Sequence, residues 1–234
     1  MRLHRFYTNT PIGSKSFDLT DRDLIHQWKS VFRYNVGSQV ILFDGSGTDY
    51  LCMITSLRNL GATLEVFKEK KTDSAPRKNV WLCMALVKKD NFELIAQKVT
   101  ELGVNGIIPI LCEHSEKRKL NMERLNKILV EASEQSGRGD VPVLHEVMKI
   151  EEVFQKGILP QEKIVLHPEG DSFHKYISGL SSVHSFAVFV GPEGGFSPKE
   201  IALFKSYNVP AISLGSQILR AETAAIAISS LLIL

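Results

Sequence analysis

The chain has 234 residues, of which 44% are hydrophobic and 23% charged, as in ordinary soluble globular proteins. It carries 28 lysines and arginines against 26 aspartates and glutamates, so bulk charge gives no reason to expect nucleic-acid binding. Any contact with RNA must therefore come from local clusters of basic residues.

The cysteines and the two chain ends indicate a cytoplasmic protein. Cys52, Cys83 and Cys112 lie far apart between apolar residues, which favours reduced core cysteines over a disulfide or a metal site. The opening MRLHRFYTNT lacks the apolar segment of a signal peptide. The apolar run from Ala224 to Leu234 is shorter than the roughly 20 residues that a membrane span needs. We therefore expect no membrane contact and no metal.

The first part of the chain has a β pattern. Alternating and β-branched residues predict strands at Val40–Phe43, Leu51–Ile54 and Ala62–Phe67, and Asp44–Gly47 is a hairpin signal between the first two. One helical stretch covers about Asp21–Phe32. The polar stretch from Lys70 to Lys78 then ends the pattern. We predict a small barrel in residues 1–72 and a second domain in residues 73–234.

Strands and helices alternate in the second part. The predicted strands are Val80–Leu86, Gly106–Leu111, Lys163–His167, Phe186–Val190 and Pro210–Leu214. The helices between them show one apolar face, and Gly103 and Gly137 end the first two. Such alternation predicts an α/β domain with a parallel sheet that is covered on both faces.

The stretch VGPEGGFSPKE, from Val190 to Glu200, joins a buried strand to a helix. Ser197, Pro198 and Glu200 form a strong helix start, with a capping serine, a proline at the first position and a glutamate that reaches back. Ligands of open α/β sheets usually bind at such strand-to-helix turns. A tight turn without a ligand explains the same residues, and this stretch alone does not decide between the two.

Three late strands end in glycine-bearing turns, at Leu166–Gly170, Gly191–Gly195 and Ser213–Arg220. If the strands are parallel, the turns meet at one edge of the sheet and form a pocket. They combine apolar side chains with backbone amides, which suits a flat heterocycle better than a polyphosphate. The glycine fingerprints of dinucleotide-binding proteins and of P-loop hydrolases are missing, as are the serine-hydrolase elbow and the zinc-protease motif.

The motifs together resemble a known family. The chain contains G-P-E-G-G-F-S-P-x-E at Gly191–Glu200, S-L-G-x-x-I-L-R-x-E-T-A at Ser213–Ala224 and E-Q-S-G-R at Glu134–Arg138, besides the opening M-R-x-x-R-F-Y and the D-G-S-G hairpin. It resembles the RsmE-type ribosomal RNA small-subunit (16S) uridine N3-methyltransferases of the SPOUT superfamily. The resemblance implies a PUA-like β-barrel, a parallel α/β sheet with a C-terminal trefoil knot, S-adenosylmethionine as cofactor, ribosomal RNA or the small ribosomal subunit as partner, and a homodimer.

The resemblance also implies a cofactor site in the three turns. Their amides and carbonyls would read the adenine edge, and apolar side chains would pack on its faces. The expected cofactor-binding residues are Leu166, His167, Pro168, Gly191, Glu193, Gly194, Gly195, Leu214, Gly215, Ile218, Leu219 and Thr223. For His167, a satisfied core histidine remains an equal alternative.

Methyl transfer to uridine N3 requires loss of a weakly acidic imide proton. Arg138 and Arg220 are candidates to stabilise the uridine anion, and Glu134 is the candidate base. Each has a structural alternative, because Arg220 could form an ordinary salt bridge and the other two could be surface helix charges. Glu222 is a candidate substrate ligand, or it only caps the last helix.

Two groups of residues are candidates for RNA contact. Arg2, His4 and Arg5 open the barrel, and Lys117, Arg118 and Lys119 follow the second strand of the α/β domain. They would hold phosphates without reading sequence. A solvated loop explains the second group equally simply.

The last helix, ETAAIAISSLLIL from Glu222 to Leu234, is apolar nearly all round. A two-fold partner would cover the part that one domain cannot, so we predict a homodimer through this helix. The alternative is a helix internal to a monomer. Two other functions also remain open: a non-catalytic RNA-binding module with a decayed cofactor site, and a metabolic enzyme that uses another nucleotide.

Overall fold

The computed structural model describes residues 3–72, 78–116, 119–179 and 182–234. Arg2, Lys117 and Arg118, which are candidate RNA contacts, lie outside these residues. The chain divides into two compact units, one formed by Met1–Ala75 with Ser133–Val141 and the other by Pro76–Ala132 with Pro142–Leu234. The division into residues 1–72 and 73–234 stays a prediction.

The first unit is built on a five-stranded sheet. Its elements are β1 (Arg5–Tyr7), β2 (Ser16–Leu19), α1 (Arg22–Ser30), β3 (Gln39–Phe43), β4 (Thr48–Leu57) and β5 (Ala62–Lys71). The strand order is β1-β3-β4-β5-β2, and every pair is antiparallel except β1 with β3. The predicted hairpin is confirmed, because β3 and β4 pair around the D-G-S-G turn, in which Gly45 and Gly47 have φ of 88° and 80°. This separate small sheet is consistent with a PUA-like domain.

Helix α1 closes the core of the first unit. Asp21 caps it by accepting a hydrogen bond from the amide of Leu24. Leu24, Ile25 and Trp28 lie on its buried face and pack with the apolar side chains of the sheet. Burial of these large side chains is the main stabilising contribution that such a short helix makes.

The second unit alternates strands with helices. Its elements are β6 (Asn79–Ala85), α2 (Lys89–Leu102), β7 (Gly106–Leu111), α3 (Met122–Ser136), β8 (Val143–Leu144), β9 (Met148–Lys149), α4 (Ile150–Gln155), β10 (Glu162–Ser172), α5 (Phe173–Ser178), β11 (Ser185–Val190), α6 (Pro198–Ser206), β12 (Ala211–Ser213) and α7 (Ala221–Ile233). The last residues of α3, from Ser133 onward, group with the first unit.

All strand pairs of the second unit are parallel. The sheet order is β12-β10-β11-β6-β7-β8, and β9 also pairs with β7. The central strands β6 and β11 are buried along almost their whole length, as expected for a parallel sheet with both faces covered. The predicted α/β fold is therefore confirmed, whereas the trefoil knot stays a prediction.

Helix α7 is only partly internal. It packs against α2 and β6, and Ala225, Ile228 and Leu232 lie on its buried face. Leu231 is 49% exposed and Leu234 90% exposed, so an apolar strip remains open in the single chain. Ile228 and Leu232, which the all-round apolar sequence of the helix did not distinguish from the outer residues, therefore belong to the core of the monomer.

The three cysteines are free and buried, as predicted. Burial raises the pKa of the Cys52 thiol to about 12, and it also raises the pKa of Cys83 and of Cys112. The part of the chain that the structure describes contains no cluster of three His, Cys, Asp or Glu side chains fit to hold a metal ion. Among the same residues, no helix has both the length and the apolar character to cross a membrane.

Candidate functional site

Three turns surround one cavity in the second unit. Strand β10 lies between β11 and β12 and is parallel to both, so the segments that follow them meet at the same edge of the sheet. The cavity has a volume of about 650 Å³. The described residues that line it are Leu166–Glu169, Val190–Phe196, Ile212–Gly215, Gln217–Ala221 and Ala224. Its size lies in the range typical of small-molecule sites.

The first wall is a bulge within β10, at the position where the sequence predicts a strand-ending turn over Leu166–Gly170. The strand runs on to Ser172, but both Leu166 and Asp171 pair with Ile212 of β12, so the four residues between them loop out. A Cβ at Gly170 would lie 2.5 Å from the backbone of Ala211, so only glycine allows the strand to resume its pairing.

His167 lies in this bulge and lines the cavity. Its Nδ1 accepts a hydrogen bond from the amide of Glu169 at 3.2 Å, which fixes the ring within the bulge. Because Nδ1 accepts this bond, the proton of the neutral ring is on Nε2. The core-histidine alternative is wrong, since His167 is neither buried nor part of a core cluster.

The second wall is the loop from Gly191 to Phe196. Gly195 donates its amide to the carbonyl of Pro192 at 2.9 Å and has φ of +70°, a conformation that strains any residue with a Cβ. The predicted helix start follows directly. The amide of Ser197 donates to Glu200 Oε2 at 2.7 Å, and the amide of Glu200 donates to Ser197 Oγ at 3.3 Å, which together form a capping box.

The third wall runs from Leu214 to Arg220. Gly215 has φ of +144°, and its amide donates to Ser213 Oγ at 3.3 Å. Ile218 is 90% exposed, which is unusual for an isoleucine and places an apolar side chain at the open side of the cavity. The cavity therefore offers apolar contact and backbone polar groups side by side.

Eleven of the twelve residues expected to bind a cofactor line this cavity. Thr223 is the exception, because it is an exposed residue in the first turn of α7 and does not contribute to the lining. The lining also includes five residues outside the three predicted turns: Val190, Phe196, Ile212, Ala221 and Ala224. Phe196 and Ala224 nevertheless lie within the quoted motifs. The cofactor role of the eleven residues stays a prediction.

Arg220 and Glu222 lie at the start of α7. Arg220 lines the cavity, and its side chain is 86% exposed. Its Nη1 is 4.0 Å from Glu222 Oε1, a distance at the limit of an ion pair. Glu222 Oε2 is buried and has no hydrogen-bond partner among the described residues. Arg220 can therefore contact an anionic ligand. Among the described residues, Glu222 makes no side-chain hydrogen bond that would cap α7.

Glu134 and Arg138 belong to the first unit and make polar contacts within it. Glu134 Oε1 accepts a hydrogen bond from the amide of Tyr7 at 2.9 Å. Arg138 is 4% exposed and donates from Nε and Nη2 to the two carboxylate oxygens of Asp140, each at 3.0 Å. These contacts give both residues structural roles that the sequence did not show.

Arg5 forms the centre of the same network. Its guanidinium donates twice to Asp49 Oδ1, at 2.9 and 2.6 Å, and it also donates to the carbonyls of Ser133 and Arg138. It lies over the ring of Phe43, 3.8 Å from the ring centre. With its side chain 9% exposed, the geometry favours a structural role for Arg5 over a phosphate contact.

The two other described candidates for RNA contact are exposed. His4 stands at the surface with its ring 4.5 Å from that of Phe32. Lys119 is also exposed, and it borders a small second cavity of about 90 Å³. Both side chains are open to solvent, as a phosphate contact requires.

Comparisons with known proteins agree with this architecture. An RNA methyltransferase domain matches residues 74–233, and an RNA methyltransferase PUA domain matches residues 29–67. The ribosomal RNA small subunit methyltransferase E of Rickettsia conorii is 34% identical over 97% of this chain and 93% of its own length. The protein of the same name from Bacillus subtilis is 29% identical, over 89% of this chain and 86% of its own length.

A solved structure shows the same likeness. The ribosomal RNA small subunit methyltransferase E of Neisseria gonorrhoeae, crystallised with bound S-adenosylmethionine, superposes with a TM-score of 0.87. It is 26% identical, and the match covers 98% of this chain and 96% of that one. The domain match over most of the chain and the identity to the Rickettsia protein lead to one conclusion: this chain belongs to the RNA methyltransferase family.

Proposed function

We propose that this protein transfers a methyl group from S-adenosylmethionine to N3 of a uridine in small-subunit (16S) ribosomal RNA. The main support for the proposal is the cavity formed by the bulge within β10 and by the turns after β11 and β12. The relatives named ribosomal RNA small subunit methyltransferase E support the substrate class, and the S-adenosylmethionine bound by the Neisseria protein supports the cofactor.

The cavity suits S-adenosylmethionine. Leu214, Ile218 and Leu219 provide apolar surface for the adenine ring, while the backbone of the glycine loop offers amides and carbonyls to its polar edge. A Cβ at Gly195 or Gly215 would meet nothing within 4 Å, so the chain leaves open space beside both glycines. When bound, S-adenosylmethionine supplies an electrophilic methyl group.

The protein must then orient the uridine and support loss of its N3 proton. Arg220 is the candidate to stabilise the uridine anion, and its exposed guanidinium beside the cavity supports this role. Glu222 is the candidate for a substrate contact, since one of its carboxylate oxygens has no hydrogen-bond partner within the described part of the chain. The proposed roles of Glu134 as base and of Arg138 as a second cation rest on the family resemblance. Both residues also make the structural contacts described above.

Ribosomal RNA is the proposed macromolecular partner. The match of the first unit to an RNA methyltransferase PUA domain supports this, and His4 and Lys119 are exposed. The proposed contacts at Arg2, Lys117 and Arg118 rest on the sequence alone. We place the protein in the cytoplasm, where it would have access to ribosomal RNA.

We also propose a homodimer through α7. The argument rests on the open apolar strip of this helix, in which Leu231 and Leu234 are exposed and the neighbouring Ala227 and Ser230 are only partly buried. Small side chains beside exposed leucines permit close packing against a second copy, and a two-fold arrangement would cover both strips at once.

Methyl transfer tests the proposal directly. Purified protein and labelled S-adenosylmethionine would be incubated with small-subunit RNA and with intact subunits from a strain that lacks the protein. We expect one methyl group per RNA molecule, which should be recovered as N3-methyluridine after digestion to nucleosides. A different methylated nucleoside, or no transfer to either substrate, would contradict it.

A further inference from the structure

The loop after β7 is held in a defined shape. The amide of Cys112 donates to Ser115 Oγ at 3.2 Å, and the amide of Ser115 donates back to the carbonyl of Cys112 at 3.1 Å. These two bonds close a tight turn with Glu113 and His114 at its tip. His114 is therefore presented by a fixed backbone, although its side chain is exposed.

The ring of His114 contacts the glycine loop of the cavity. Its Nδ1 is 3.0 Å from the carbonyl oxygen of Gly194 and 3.2 Å from that of Gly195. Carbonyl oxygens only accept hydrogen bonds, so Nδ1 must carry the proton in both contacts. The neutral ring is consequently the Nδ1–H tautomer, with the lone pair on Nε2.

Two further contacts join the same segments. A Cβ at Gly194 would lie 3.0 Å from His114 Cβ, so the histidine approaches as closely as the glycine allows. The amide of Glu113 donates to Glu200 Oε1 at 2.9 Å, while Oε2 of that carboxylate caps α6 through Ser197. The β7 loop thus holds the glycine loop near its middle and also at the helix start that follows it.

We propose that His114 is a positioning residue of the S-adenosylmethionine site, which holds the Gly194–Gly195 peptides in the shape that binds the cofactor. The inference rests on the proposed function. Consecutive glycines have wide conformational freedom, and ordering them opposes binding. A donor that anchors both carbonyls before the ligand arrives removes part of this cost. The two contacts join residues 80 and 81 positions apart in the chain.

Two variants separate this role from a general effect of losing a histidine. His114→Ala removes the donor, whereas the side-chain amide of His114→Asn presents an N–H group near the position of Nδ1. His26→Ala is the matched control, because His26 is an exposed histidine on α1 of the first unit. Binding of S-adenosylmethionine and of S-adenosylhomocysteine would be measured by calorimetry.

We expect His114→Ala to bind both ligands on the order of tenfold more weakly, as the loss of about one hydrogen bond implies. His114→Asn should recover most of the affinity, and His26→Ala should match the unmodified protein. Equal affinity of His114→Ala and the unmodified protein would overturn the inference and leave the proposed function intact. An unmodified protein that binds neither ligand would instead contradict the proposed function.

The tautomer gives a test that does not depend on any variant folding. Nitrogen-15 spectra of the histidine rings at alkaline pH, where the imidazoles are neutral, distinguish a protonated Nδ1 from a protonated Nε2. His114 should show the proton on Nδ1, and His26 gives the reference for an exposed ring. A neutral His114 ring protonated on Nε2 would overturn the inference, because it could not donate to either carbonyl.

Discussion

The cavity of the second unit and the arginine network of the first unit use polar groups in opposite ways. The network around Arg5 is closed, since its largely buried guanidinium donates to a carboxylate and to two carbonyls and leaves little room for a ligand. The cavity is open, since Arg220 and Ile218 are exposed to solvent and the space beside the glycines of its walls is unfilled. An arginine in a sequence motif can therefore be structural or face a ligand, and only its contacts decide which.

Breaking the closed network should have the largest effect. Arg5→Ala removes the donor to Asp49 and to two carbonyl oxygens, and loss of one partner of a largely buried pair costs about 3 kcal/mol of the free energy of unfolding. Denaturant unfolding followed by circular dichroism measures it. The control is Arg58→Ala, which breaks a pair with Asp18 whose side chains are 62% and 65% exposed, and should change stability by less than about 1 kcal/mol. Equal effects of the two variants would contradict a structural role for Arg5.

Closing the open cavity should abolish ligand binding instead. Gly195→Val adds a β-branched side chain at φ of +70° and fills the space beside the glycine loop. We expect at least about a hundredfold loss of affinity for S-adenosylmethionine, or about 2.7 kcal/mol. Gly157→Val is a close match, because Gly157 has φ of +63°, meets nothing within 4 Å and does not line the cavity. The control should lose stability and keep its affinity; if Gly195→Val binds as tightly as the control, the loop is not part of the site.

The outer face of α7 tests whether the exposed apolar strip serves association. Leu231→Glu places a charge on the 49% exposed position and should weaken dimerisation on the order of tenfold or more, with a matching loss of activity at low protein concentration. Ile228→Glu is the contrasting variant, since Ile228 is fully buried and a charge there should unfold the chain. Sedimentation equilibrium decides the matter, and an unmodified protein that is monomeric at micromolar concentration would refute the dimer.

The basic residues after β7 should give the smallest effect. Replacing Lys117, Arg118 and Lys119 together with alanine should lower the slope of log affinity for RNA against log salt by roughly 0.7 to 0.9 for each lost phosphate contact. Affinity for S-adenosylmethionine should stay the same. An unchanged slope would mean that these residues form an ordinary solvated loop.

Local signals in the sequence account for much of the fold and of the cavity. The capping box of Ser197 and Glu200 and the positive φ of Gly195 depend on residues within a few positions, so a pattern can predict them. The parallel sheet follows from strands that alternate with helices.

Contacts between distant residues could not be predicted in this way. Arg5 reaches a carbonyl 128 positions away, and His114 contacts a loop 80 positions away, so no local pattern shows either contact. The bulge at Gly170 depends on how β10 approaches β12, and the outer face of α7 depends on how the helix rests on α2. Apolar residues all round that helix gave no signal for its orientation.

Hydrogen–deuterium exchange with and without S-adenosylmethionine tests most directly whether the three turns form the cofactor site. We expect slower exchange in Gly191–Gly195 and Leu214–Arg220 when the cofactor is added. The amide of Tyr7, already bonded to Glu134 in the closed network, should exchange slowly in both conditions. Unchanged exchange in both turns at a saturating cofactor concentration would contradict the account.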